Sequence, residues 1–411
     1  MITTSLRKSL ISLIPIIVVL FAAPGLLPPG ALAQGPPDGE RPAATVSPEL
    51  EELARNSFIF LFKDSVPREA VGGHAKDLAA RHGGRVDHVY STALRGFAAT
   101  IPLQAAARLA RDPRIAFYEP DGIAQAIGRP EAAGKPSNVS APQTTDWGVA
   151  RVCGGLCPAP AAGRTAWIID TGVDLNHPDL NVNVARSKSF VRTKTSPDDG
   201  NGHGTHVAGI IAARNNTSHT VGVAAGATVV AVRVLDNGGS GLWSWVIAGV
   251  DYVAHNAKST DVANMSLGGP YNSSVNIAVT NASATCAFTV AAGNESDDAA
   301  NHSPASASTS DADEVYTVSA IDNADHFASF SNWGTPPVDF AAPGVSILSL
   351  WKGGGTKILS GTSMAAPHVA GLLLLGPVGC DGDAIGDPES PSDHIAHYPD
   401  GRNFACPSPL Y

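Results

Sequence analysis

Apolar and polar positions alternate along this chain in two distinct rhythms. Between 58 and 121 the apolar runs are short: "FIFLFKD" (58 to 64) reads as a strand, "REAVGGHAKDLAARHG" (68 to 83) as an amphipathic helix and "RVDHVYS" (85 to 91) as a second strand. The order then repeats with "GFAATIP" (96 to 102, strand), "LQAAARLARDP" (103 to 113, helix) and "RIAFYEPD" (114 to 121, strand). This is β-α-β-β-α-β, a split βαβ unit. From 166 onward the strands are nearly continuous and β-branched: "AWIID" (166 to 170), "TVVAVRVLD" (228 to 236), "VANMSL" (262 to 267), "FTVAAGN" (288 to 294) and "VYTVSAID" (315 to 322). Helical runs separate them, one beginning at His203 and another, "SWVIAGVDYVAHNAK", at 244 to 258. Such strands are buried on both faces, so the large unit is expected to be α/β with a central parallel sheet.

The ends and joints follow from composition. Arg7 and Lys8 precede an apolar stretch from 10 to 27, and Ala31-Leu32-Ala33 supplies a small-x-small site before Gln34, so 1–33 is expected to be a secretory signal peptide rather than a membrane anchor. Residues 34–55, rich in Pro, Gly and Glu, read as a linker, 56–126 as the small α+β unit, and the polar stretch 127–142 as a processing junction. The α/β unit takes 143–380 and leaves 381–411 as a C-terminal tail. A net charge of -10 without a Lys/Arg cluster argues against nucleic-acid binding. Five cysteines in a secreted chain allow two disulfides with one left over, their pairing open. The spacing Cys153-x-x-x-Cys157 lacks the second Cys/His pair that a zinc site needs.

In open parallel sheets reactive groups collect at the carboxyl ends of strands, which singles out Asp170, Ser266 and Asn294. Ser363, in "GTSMAAPHVAG", and His203, in "GNGHGTHVAG", stand at the starts of helices, where free N–H groups and the positive dipole end favour an anion. Acid, imidazole and hydroxyl at separate element ends are the parts of an activated nucleophile. Competing chemistries lack partners. D-T-G at 170 to 172 has no second copy for an aspartic peptidase, His203 and His206 lack an H-E-x-x-H glutamate, and Ser363 is not in G-x-S-x-G.

"IIDTGVDLNHPDL", "GNGHGTHVAG" and "GTSMAAPHVAG" together resemble the three catalytic motifs of the subtilisin-like serine peptidases, in the Asp, His, Ser order of that family. "APQTTDWGVARV" (141 to 152) resembles the mature N-terminus of its proteinase K branch, and the split βαβ unit is similar to the family's inhibitory propeptide. The resemblance implies a three-layer α/β fold and a secreted endopeptidase made as a zymogen, expected to be a monomer inhibited by its own propeptide until autocleavage between about 126 and 143. It implies Ser363 as nucleophile, His203 as general base and acid, Asp170 as its orienting partner and Asn294 as side-chain oxyanion donor. Gly239, Ser240, Gly241 and Trp243 would form one wall for an extended polypeptide, Ser266, Leu267 and Gly268 the other, and Ala291, Ala292 and Gly293 the floor of the primary pocket. Specificity would be loose and apolar-leaning. Glu295 would stand at the pocket rim, where its charge would favour a basic P1 residue; the competing reading is a solvated surface glutamate. No catalytic cofactor is implied, but structural calcium is, at Asp339. The alternative function is an inactive homologue that binds peptides or serves as a scaffold.

Overall fold

The computed structural model describes residues 46–130, 142–192, 194–308, 314–399 and 406, so the signal-peptide expectation and most of the junction lie outside the described residues. The small unit is a four-stranded antiparallel sheet in the order Arg85–Tyr90, Gly96–Thr100, Ser57–Phe62, Ile115–Pro120. On one face Phe58, Phe60, Phe62 and Phe97 pack with Val71 and Leu78 of helix Val71–Arg81 and Leu109 of helix Leu103–Leu109. On the other, Ile59, Leu61, Tyr90 and Ala98 join a core shared with Trp243, Trp245 and Val246 of the α/β unit. Burial on both faces is why 58–62, "FIFLF", is apolar at every position instead of alternating.

The large sheet runs Gly379–Asp383, His394–His397, Val338–Pro343, Val315–Ile321, Ala287–Ala291, Val262–Met265, Thr165–Asp170, Thr228–Arg233 and Asn181–Val182, with Lys188–Ser189 also pairing with Thr228–Arg233. All pairs are parallel except the first. Period-2 alternation sends Ala166 and Ile168 to the face covered by helices His203–Ala212 and Thr362–Leu375. Trp167 and Ile169 go to the face covered by Trp243–Asn256 and Ser273–Ser283.

Two boundaries need correction. Within the expected linker 34–55, Pro48–Arg55 is a helix: Ser47 caps it by accepting from Leu50 N, Pro stands in its first turn, and Leu50 is buried in the shared core. The Pro that suggests a linker is here a helix starter, needing no donor at that position. The tail expected from 381 is still part of the sheet, because Gly379–Asp383 pairs with His394–His397, which adds to Val338–Pro343. "CDGD" and "HIAH" are too polar and short to announce strands. Beneath them Asp393 is buried, which pushes its carboxyl up to about 7 with help from Asp387, and it accepts from Ser319 Oγ at 2.6 Å. Disulfides join Cys153 to Cys157 and Cys380 to Cys406; Cys286 is free and buried. No helix among the described residues is long and apolar enough to cross a membrane.

Candidate active site

Asp170 ends strand Thr165–Asp170, wholly buried. Its Oδ1 and Oδ2 lie 2.9 and 3.0 Å from Nδ1 of His203, the first residue of helix His203–Ala212, and Oδ1 also accepts from Thr171 N at 2.6 Å. Burial pulls the imidazole pKa down, but the attraction and hydrogen bond of Asp170 outweigh it and leave it raised. The loop before His203 is built on Asp199, a buried carboxylate that accepts from Asn201 N, Gly202 N, Thr205 N, Thr205 Oγ1 and Thr171 Oγ1. Sequence reasoning missed Asp199; its signal is an acid within "DDGNGH", in reach of the free N–H groups of the helix that follows.

Ser363 is the second residue of helix Thr362–Leu375 and is fully buried. Its Oγ donates to Ser266 O at 3.0 Å, while His203 Nε2 is buried without a hydrogen-bond partner. Asn294 Oδ1 accepts from Thr362 N (3.0 Å) and Thr362 Oγ1 (3.1 Å), which fixes the amide so that Nδ2 faces the cleft. There it donates to the carbonyl of Ile127 at 2.7 Å. Gly361, at φ 150°, must lack a side chain: a Cβ would stand 2.6 Å from Ile127 O and 2.9 Å from Asn294 Nδ2.

The cleft is filled by the chain itself. Strand Ile123–Ala126 lies antiparallel between Ser240–Leu242 (Gly241 opposite Ala124) and Leu267–Pro270 (Gly268 opposite Gln125). Ala126 N donates to Gly239 O and Ile127 N to Ser266 O. Beyond Gly128, which abuts the His203 ring, Arg129–Pro130 pairs with Leu359 and Ser360. Ile127 packs against the cluster holding Ala291, and its Cδ1 occupies the space a Cβ on Gly268 would need. Ala292 N donates to Val318 O and Gly293 N to Thr362 Oγ1. Trp243 is buried beneath Gly122 and Gly269 at the far end of the cleft. Two carboxylates hold the small unit on: Asp121 accepts from Ser244 N and Glu119 from Ser274 N, at the first turns of helices Trp243–Asn256 and Ser273–Ser283.

Asn294 thus meets the carbonyl of Ile127, Gly128 abuts the His203 ring that Asp170 holds, and Ser363 Oγ and Ile127 N share the carbonyl of Ser266. A sequence profile described as the subtilase family matches residues 165–375. The chain belongs to the subtilase family. It is similar to subtilisin-like serine protease AsES of Sarocladium strictum, with 40% identity over 79% of this chain and 80% of that one. It is similar also to proteinase R of Parengyodontium album, with 36% identity over 85% and 86%. The crystal structure of a cold adapted subtilisin-like serine proteinase aligns with a TM-score of 0.53 and 38% identity, over 61% of this chain and 97% of that one. As a subtilase the chain is a serine endopeptidase with a three-layer α/β fold.

Asp339 lies away from this centre. Its Oδ2 accepts from Thr317 N at 2.7 Å and Ser308 Oγ at 3.1 Å, which suits an anchor between strands. No three His, Cys, Asp or Glu side chains among the described residues converge as metal ligands. No step below runs through a metal.

Proposed function

We propose that this subtilase is a secreted zymogen whose Asp170–His203–Ser363 triad cleaves polypeptides through an acyl-enzyme, and whose first substrate is its own Ile127–Gly128 bond. The observation that carries this is the 2.7 Å hydrogen bond from Asn294 Nδ2 to Ile127 O. It singles out the one carbonyl that directly follows a strand paired on both sides.

Turning Ser363 Oγ from Ser266 O toward His203 lets Nε2 take its proton as Oγ bonds to the carbonyl carbon of Ile127. Negative charge gathers on Ile127 O, where Asn294 Nδ2–H and the start of helix Thr362–Leu375 stabilise it. Asp170, on Nδ1, holds the tautomer and stabilises the imidazolium. Collapse breaks the C–N bond, His203 Nε2 returns the proton to the Gly128 amine, and water releases the ester by the same steps. The cut small unit would remain docked as an inhibitor, because its cleft strand and the caps from Glu119 and Asp121 need no intact Ile127–Gly128 bond.

Other substrates would bind as extended chains on the same backbones, so sequence preference would rest on an apolar P1 residue like Ile127. The names of relatives support secretion: one is an extracellular serine proteinase of a Thermus species, 41% identical over 71% of this chain and 68% of that one. A peptidyl diphenyl phosphonate with Leu at P1 tests the nucleophile directly. One adduct mapping to Ser363 is expected in the mature fragment; an unlabelled protein would speak for the peptide-binding alternative.

The base must be neutral to accept the serine proton, so its raised pKa moves the acid limb of activity upward. We expect kcat/KM to rise with pH through a single ionisation above the ordinary imidazole value of 6.5. A limb centred below 6.5 in the pH profile would contradict the assigned His203–Asp170 pairing.

A further inference from the structure

The loop after strand Ala287–Ala291 carries the oxyanion amide, and a pair of side chains gives it its shape. Asn332, fully buried, donates from its backbone N to Gly293 O (3.0 Å) and from Nδ2 to Ala292 O (3.1 Å). Its Oδ1 accepts from the N–H groups of Glu295 (2.9 Å) and Asp297 (3.1 Å). Glu295 closes the arrangement from outside: its Oε2 accepts from Asn294 N and from Asn332 Nδ2, each at 2.8 Å. His302 Nδ1 stands 3.8 Å from that same oxygen, while its Nε2 is 3.0 Å from Asp297 Oδ2. A glutamate serving only as a solvated surface group has no reason to turn one oxygen back onto the N–H of its neighbour Asn294 and the side-chain amide of Asn332, since extended in water it keeps its rotamer freedom.

We propose that Glu295 is a positioning residue for the oxyanion donor: with Asn332 it fixes the backbone of Asn294, and so the line from Nδ2 to the reacting carbonyl. This replaces the role of a P1 charge selector at the pocket rim, and it rests on the peptidase reading of the site. An oxyanion donor works only over a narrow range, about 2.7–3.1 Å from the developing charge. Misplacement by about 1 Å is enough to cost much of its effect. Removing Glu295 frees the loop's outer side while Asn332 still holds the inner one, so the donor is loosened rather than lost.

For Glu295→Ala, kcat on a Leu-P1 peptide is expected to fall about tenfold with KM within about twofold of wild type, a fraction of the 10²–10³ that full loss of such a donor costs. Glu295→Gln, whose Oε1 can accept both N–H groups, should recover most of that turnover, with the ratio of Arg-P1 to Leu-P1 kcat/KM unchanged. Undiminished kcat in Glu295→Ala, or a changed Arg-to-Leu ratio in Glu295→Gln, overturns the proposal. In a Ser363→Ala background, NMR-detected exchange of the Asn294 amide should be faster with Glu295→Ala than with Glu295→Gln; equal rates overturn it as well. A wild type that cleaves no peptide while exchange responds would instead refute the peptidase reading.

Discussion

Ser363→Ala is expected to leave the chain uncut at Ile127–Gly128 under conditions in which the wild type separates into two fragments by intact mass. Every other part survives the substitution. The cleft strand keeps its pairing with Ser240–Leu242 and Leu267–Pro270, and Asn294 Nδ2 still meets Ile127 O. What disappears is the atom that forms the new bond. The loss of turnover from removing the serine of such a triad is about 10⁶-fold, a figure that itself comes from a subtilisin. Stability should change little, since the deleted contact is one hydrogen bond to Ser266 O, worth about 1 kcal/mol. Cleavage of Ser363→Ala at that bond at the wild-type rate would remove the case for self-processing and point to a contaminating or partner peptidase.

The second large effect belongs to Asn294. Asn294→Leu keeps the volume of the side chain and removes its donor, so kcat on a peptide is expected to fall about 10²–10³-fold, a range that again derives from a subtilisin. KM should move much less, because the extended substrate is held by backbone pairing along Ser240–Leu242 and Leu267–Pro270, which the substitution does not touch. The substitution also takes the acceptor from Thr362 N and Thr362 Oγ1 at the start of the nucleophile's helix, so a modest fall in Tm should accompany it. Separate measurement of kcat and KM decides the matter: equal losses through KM alone would mean that Asn294 serves ground-state binding. A fall in kcat with KM little changed would place its work in the transition state.

Glu295 and Asp199 mark the limit of reading function from a one-dimensional string. Glu295, beside Asn294, invites a role in substrate charge, yet its direction is set by Asn332, a residue 37 positions away. Asp199 gathers five donors around the loop before His203 and has no local pattern beyond being an acid near a helix start. The helix Pro48–Arg55 and the strand pair closing the sheet near Cys380 escaped notice for a related reason. The strand pair is stabilised by what it packs on, His394–His397 against Val338–Pro343, while the helix does carry a period, Leu50, Leu53 and Ala54 toward the shared core, in a segment too short and too rich in Pro and Glu to announce it.

The sequence by itself determined the two units, the alternation of strands and helices and the three motifs, because buried parallel strands, helix starts and strand ends each impose a local composition that stays legible in order. Only the tertiary structure decided which bond lies in the cleft, where the small unit is anchored and which side chains hold the loop of Asn294. Those depend on hydrogen bonds between segments far apart in sequence, as when Asn294 meets Ile127 across 167 positions and Glu119 meets Ser274 across 155. Such pairings leave no periodicity in the chain, since either partner would look the same without the other.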